Sequence, residues 1–390
     1  MARKISKIGV VTGNRSEYGI LRPLIFELEK SKEFSVFILA TGTHTLSEYG
    51  STIEEIKKDC SCPVFGREMY DENVKGDHYF STGLSRGIET ASNIFAKESP
   101  DLVIVLGDRL EALAGCLAAA CLKIPIAHIH GGDKTDDGHI DESIRHSISR
   151  FSHLHFAAVS DHAERLVKMG ESPHRVYDVG ALGLDSIVSK KNFQRKDILS
   201  KLSCEDFLTD KLALCLFHST DDIEEHAHKD VERIFECLSS VGASSIWIHP
   251  NNDKGNNKVV AAIKKMSRNT RTKSFVNLDH DDYVSLLSSV DVLVGNSSSG
   301  IIEAASLGVP VVNVGSRNRD RIASENVIFV GTSREEILSG IQKSLQDESF
   351  KLKVKKIENV YGSGNTAKKI VSILKKVNID DYFVKKLIEY

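Results

Sequence analysis

At 390 residues the chain exceeds one typical core, so two domains are the starting expectation. A net charge of −3, with 41% hydrophobic and 27% charged residues, suits an ordinary globular protein and gives no basis for a nucleic-acid or membrane partner. The apolar runs fall well short of the ~20 residues a membrane span needs, and the first stops at Thr12-Gly13, too early for a signal peptide. The seven cysteines lack zinc-type spacing and read as reduced core thiols, the pattern of a cytoplasmic protein.

Strand-like and helix-like segments alternate along the chain. Apolar runs at 7–11, 35–40, 64–65, 102–106, 126–129, 154–158 and 176–179 read as strands, with helical patterns such as 21–31 and 90–97 between them. The scheme recurs with strands at 212–217, 245–248, 274–277, 292–294, 311–314 and 327–330. This predicts α/β architecture: two Rossmann-like, doubly wound domains facing across a cleft. The polar, Lys-rich segment 186–209 marks the boundary. The domains are then 1–185, 186–365 and a closing helical segment, 366–390, with helices at 365–375 and 381–388.

Ligands of open α/β sheets bind outside the carboxyl ends of the strands. Asp108 and Arg109 stand at one such end, His130 and Asp133 at the next, and a helix follows near Asp141-Glu142. Asp141 and Arg145 are i,i+4 neighbours, as are Glu142 and His146. That spacing serves a helix-stabilising charge pair and an acid–base residue oriented by an arginine equally well. His128 and His130 lie two apart on a strand and so share a face. Zinc would need three protein ligands, so hydrogen-bonded or acid–base histidines are preferred and no metal is expected.

The loop Gly13–Gly19 follows the first strand without a P-loop or dinucleotide pattern. It is either an ordinary βα turn or an anion contact through Arg15. Gly295-Asn296-Ser297-Ser298-Ser299-Gly300, between a strand and a helix at 301–307, has the small, hydroxyl-rich character of a diphosphate cradle, with Glu303 placed to accept from ribose hydroxyls. His218, the His249–Asp253 loop with Asn251, and Arg317 also close strands.

Together these segments resemble the hydrolysing UDP-N-acetylglucosamine 2-epimerases. The resemblance is carried by Gly107-Asp108-Arg109-Leu110-Glu111, His128-Ile129-His130-Gly131-Gly132 and Ile140 through Ile148. Ser152-His153-Leu154-His155, Gly295-Asn296-Ser297-Ser298 and Tyr361-Gly362-Ser363-Gly364-Asn365 fit too, in order, from about Gly9 to the final helices. It implies a fold of the glycosyltransferase-B type, UDP held mainly by the second domain, a homodimer or homotetramer, and neither cofactor nor metal. The implied reaction inverts C2 and eliminates UDP through a 2-acetamidoglucal, then hydrates it to N-acetylmannosamine for sialic acid synthesis. Related enzymes act instead on UDP-2,4-diacetamido-2,4,6-trideoxyglucose, toward legionaminic acid. A glycosyltransferase and a non-catalytic UDP-sugar sensor are further alternatives on the same fold.

By matching positions, Asp108 and Asp141 are implied as catalytic carboxylates. Arg15, Arg109, His218, Asn251, Ser297, Ser298, Glu303 and Arg317 are implied as UDP or diphosphate contacts, and His218 as an aid to the chemistry. Asp133, Arg145 and Leu278 complete the expected substrate-binding set. His130 stands where some members carry Glu, so the third acid–base group is His130 or Asp133, with His130 favoured. The loop 133–139 is longer than in the Glu-bearing members, which bears on sugar selectivity. Arg109-Leu110-Glu111 after Asp108 favours the hydrolysing branch over the non-hydrolysing one.

Overall fold

The structure is a computed structural model that describes residues 3–47, 50, 52–71, 74, 76, 78–134, 140–188, 194–219, 226–250 and 255–389. Asn251 and most of the 133–139 loop lie outside the described residues. The strands are β1 (Arg3–Lys4), β2 (Lys7–Thr12), β3 (Ser35–Ala40), β4 (Val64–Gly66), β5 (Leu102–Leu106), β6 (Ile126–Ile129), β7 (Leu154–Ala157) and β8 (Val176–Asp178). They continue with β9 (Leu212–Leu216), β10 (Ser244–Ile248), β11 (Thr272–Phe275), β12 (Val292–Gly295), β13 (Val311–Val314), β14 (Val327–Val330) and β15 (Asn378–Ile379).

Two parallel sheets result, ordered β4-β3-β2-β5-β6-β7-β8 and β11-β10-β9-β12-β13-β14. In each, the chain starts centrally, works to one edge, then crosses back and works to the other. This is the doubly wound order expected from the alternation of elements. Central strands such as β5 are buried along their whole length, which explains why they read as unbroken Val/Ile/Leu runs.

The chain divides into two compact units: residues 1–133, 140–186 and 364–390 form one, and residues 134–139 and 187–363 the other. The helix Thr366–Lys376 belongs to the first because its apolar stripe, Ala367, Ile370, Val371 and Leu374, joins the core of Ile8, Leu21, Leu24 and Ile25. β1 and β15 pair antiparallel beside it.

Several element boundaries differ from expectation. The helix expected at 21–31 begins at Arg15, where Asn14 caps it, and the one expected at 90–97 spans Tyr79–Glu98. The strand expected at 274–277 is Thr272–Phe275. The helix expected at 301–307 is a short α turn, Ser298–Ile302, followed by a 3₁₀ turn, Ala304–Leu307. The closing helix expected at 381–388 is a single turn, Asp381–Val384, because the residues after it extend to reach partners elsewhere.

Among the described residues no helix is long and apolar enough to cross a membrane. All seven cysteines are free thiols.

Candidate functional site

In the first unit the strand order reverses between β2 and β5, and the loops after these strands bring buried charge together. Asn14 Oδ1 accepts from the Glu17 N–H (2.9 Å), and Glu17 Oε2 accepts from the Gly13 N–H (2.6 Å), a reciprocal cap. Arg15 turns to Glu55 at 2.8 Å. Gly13 has no room for a side chain, since a Cβ there would lie 2.5 Å from Glu111 Cβ.

Glu111 is 1% exposed. Its Oε1 accepts from the Tyr70 hydroxyl (3.1 Å), and its Oε2 lies 3.6 Å from Arg109 Nε. Glu17 Oε1 and Glu111 Oε2 are buried oxygens without a hydrogen-bond donor among the described residues. Burial, reinforced by the Glu111 charge, pushes the Glu17 carboxyl up to about 8.

The Gly107–Arg109 loop is tied to the helix Ile140–Phe151 at two points. Arg145, buried in that helix, donates to Asp108 Oδ2 and, through Nη1, to Glu142 Oε2 at 2.5 Å. Burial opposes its charge, but Asp108 and then Asp133 outweigh burial and raise its pKa. The i,i+4 pairing of Arg145 with Asp141 is thus replaced by contacts to Asp108 and Glu142, whereas Glu142 and His146 do pair, at 2.8 Å. Asp141 is half-buried in the first turn of the same helix. Asp133 is buried and pairs with His162 at 3.2 Å.

The second tie is His128. Its Nε2 donates to the Gly107 carbonyl (2.7 Å), so Nδ1 is the acceptor from Ser149 Oγ (3.0 Å). Burial pulls its pKa down to about 3, which keeps the ring neutral. His130 does not share its face: β6 ends at Ile129 and His130 takes φ 63°, so the ring turns away. His130 Nε2 accepts the Leu182 N–H at 3.1 Å, which leaves Nδ1 to carry the proton of the neutral ring. Among the described residues, no three His, Cys, Asp or Glu side chains are placed to hold a metal.

In the second unit the order reverses between β9 and β12, and the loops there converge on Asn296. The His218 N–H donates to Asn296 Oδ1 (2.7 Å), Asn296 Nδ2 donates to the His218 carbonyl (2.9 Å), and Asn318 Nδ2 donates to the Asn296 carbonyl (2.9 Å). Arg317, beside Asn318, is fixed through its carbonyl, which accepts from Asn313 Nδ2 at 2.8 Å. Gly295 permits this closeness, since at φ 141° a Cβ would lie 1.8 Å from the Leu216 carbonyl oxygen.

Ser297 caps the short helix and Ser298 is exposed beside it. Ser299 Oγ donates to Glu303 Oε2 (2.7 Å) and also meets the Tyr283 hydroxyl. Burial pushes Glu303 up to about 7, against the lowering effect of the Ser299 bond. Leu278 is buried ahead of the helix His280–Ser289, which supplies Tyr283.

The structure therefore groups Asp108, Asp133 and Arg145 in one unit, and His218, Ser297 and Arg317 around Asn296 in the other. Arg109 sits with Glu111, and Arg15 with Glu55. Sequence reasoning missed Glu17 and Tyr70, and gave Glu111 and Asn296 no role beyond their place in the quoted motifs. Glu111 did carry a signal, as the lone charge in the otherwise uncharged helix Leu110–Cys121.

Comparison with known proteins gives the family and the fold. The model of the UDP-N-acetylglucosamine 2-epimerase family matches residues 26–375. A Legionella pneumophila protein named UDP-N,N'-diacetylbacillosamine 2-epimerase (hydrolyzing) is 32% identical over 388 residues, 99% of this chain and 100% of its own. The Escherichia coli polysialic acid biosynthesis protein P7 is 30% identical, covering 95% of this chain and 94% of its own. The crystal structure of UDP-GlcNAc 2-epimerase from Neisseria meningitidis bound to UDP-GlcNAc superposes with a TM-score of 0.78 at 21% identity, over 95% of this chain and 100% of that one. The chain belongs to the UDP-N-acetylglucosamine 2-epimerase family.

Proposed function

We infer that the protein is a hydrolysing 2-epimerase of UDP-2-acetamido sugars. The observation that carries this reading is the Asp108–Arg145 contact, which joins a strand-end carboxylate to the helix bearing Asp141. Two carboxylates on adjoining elements suit a reaction with two proton transfers at one carbon. Simple transfer of a sugar to an acceptor does not need both.

In the reaction a carboxylate takes the C2 proton and the C1–O bond to UDP breaks, giving the 2-acetamidoglucal. Water then adds its hydroxyl to C1 while C2 receives a proton on the opposite face. Asp108 and Asp141 are assigned these proton transfers, with His130 as the third acid–base group through Nδ1. The diphosphate carries two negative charges in the nucleotide sugar and gains a third as the C1–O bond breaks, which Arg15, Arg109, Arg317, Ser297 and Ser298 would stabilise by charge-assisted and hydroxyl hydrogen bonds. His218 and Asn251 would complete that set, with Glu303 accepting from ribose hydroxyls and Leu278 packing beside them.

The first substrate is UDP-N-acetylglucosamine, giving N-acetylmannosamine for sialic acid synthesis. A second reading, UDP-2,4-diacetamido-2,4,6-trideoxyglucose, is favoured by the full-length likeness to the Legionella protein. Offering each nucleotide sugar separately and following UDP and free sugar by chromatography tests both. The free 2-epimeric sugar from one substrate selects it. UDP bound but never released from either would leave a sensor, and transfer to an added acceptor would leave a glycosyltransferase.

A further inference from the structure

Beyond the turn Asp381–Val384 the chain lies along the first unit as a strap. Arg175 holds its start, with Nη1 on the Phe383 carbonyl (2.8 Å), Nη2 on those of Tyr382 (3.0 Å) and Lys385 (3.1 Å), and the guanidinium 5.2 Å over the Phe383 ring. The Glu389 N–H donates to the Gly170 carbonyl at 3.1 Å. Gly170, at φ 90°, allows this approach, because a Cβ there would lie 2.7 Å from Ile388 Cγ2.

Between these anchors Lys386 points inward, its side chain 11% exposed. Its Nζ donates to the carbonyls of Ser149 (2.8 Å) and Arg150 (2.7 Å) and pairs with Glu171 Oε2 (2.8 Å). The two carbonyls belong to the last turn of the helix Ile140–Phe151, where a cation complements the dipole. Glu171 is itself buried and braced by Arg150 (2.7 Å) and His155 (2.9 Å).

Ser149 joins this anchor to the candidate site. Its carbonyl takes Lys386, while its hydroxyl meets His128, whose other nitrogen holds the Gly107 carbonyl directly before Asp108. One turn earlier on the same helix, Arg145 holds the Asp108 carboxylate. Sliding the helix along its axis would disturb both ties at once, and Lys386 opposes that sliding from the far end.

We propose that Lys386 is a positioning residue for Asp108, fixing the helix Ile140–Phe151 through Ser149 so that the His128 and Arg145 ties hold the carboxylate in place. The proposal rests on Asp108 being the carboxylate that handles a proton at C2.

The test is Lys386→Met beside Lys386→Arg, with kinetics on whichever UDP-sugar turns over and hydrogen exchange read by mass spectrometry. The Met variant loses roughly tenfold in kcat with KM unchanged, since misplacement of a reacting group acts on the chemical step. The Arg variant regains most of it. Amides of residues 107–110 and 145–152 exchange faster in the Met variant, while those of the second unit do not change.

Ser149→Ala cuts the link to His128 and leaves the carbonyl contact intact. Its loss and that of Lys386→Met combine to less than their product in the double variant. Unaltered kcat in Lys386→Met, or fully multiplicative losses, overturns the proposal. If the parent protein turns over neither sugar, the functional reading fails, and the exchange of residues 107–110 decides the positioning claim alone: faster supports it, unchanged overturns it.

Discussion

Arg145 donates one guanidinium nitrogen to Asp108 and the other to Glu142, so a single buried cation joins the loop after β5 to the first turns of the helix Ile140–Phe151. The geometry is a fork, with two nitrogens committed to two different carboxylates. Lysine would keep the charge but donate from a single nitrogen in place of two held apart in a planar fork.

Arg145→Met therefore acts on stability and catalysis together. Removing one member of a buried pair should cost about 2–3 kcal/mol, less than for a fully buried pair because Asp108 is partly exposed. Urea unfolding reads that cost. Turnover should fall by roughly a hundredfold as Asp108 loses its support, and Arg145→Lys should recover stability better than turnover.

Glu17 gives a pH prediction. Its carboxyl is raised from 4.5 to about 8 in the folded protein, so the folded state binds the proton more tightly than the unfolded chain. The stabilisation is complete below about 4.5, the unfolded value. It is lost as pH rises through about 8. Glu17→Gln mimics the neutral form, so denaturation midpoints measured across this window should fall less steeply with rising pH than in the parent. An equal slope in both proteins would show that Glu17 does not hold the proton.

Gly295→Ala tests the second unit. The new Cβ would overlap the Leu216 carbonyl oxygen at φ 141°, and the overlap is with backbone, which cannot swing aside. A loss of roughly 3 kcal/mol is expected. Calorimetry should also show weaker UDP binding, because Asn296 and Ser297 follow directly. Ser298→Ala, at an exposed hydroxyl, should weaken UDP binding while leaving the unfolding midpoint where it was.

The doubly wound character of the two units and most strand positions were legible because parallel central strands are apolar runs, and their carboxyl-end loops carry the unusual residues. Asp108, His218 and Ser297 could be placed at strand ends on that basis alone. The partnership of Arg145 with Asp108 could not, since the two are 37 residues apart and local spacing pointed to Asp141. The divergence of His128 and His130 comes from φ 63° at His130, one residue past the end of β6, and strand spacing carries no sign of that left-handed turn. Lys386 lies in a terminal stretch with a helix-like pattern, and its partners Ser149, Arg150 and Glu171 are more than 200 residues earlier. No local rule reaches that far.

Asp108 and Asp141 are assigned the proton transfers at C2. The most direct test is turnover in heavy water of UDP-N-acetylglucosamine, and of the diacetamido sugar in parallel, followed by proton NMR. Asp108→Asn and Asp141→Asn would be run beside the parent protein. A free, C2-inverted sugar with deuterium at C2 is expected, its formation abolished in both variants while UDP still binds. UDP released with the C2 proton and configuration retained, or variants as active as the parent, would contradict that assignment.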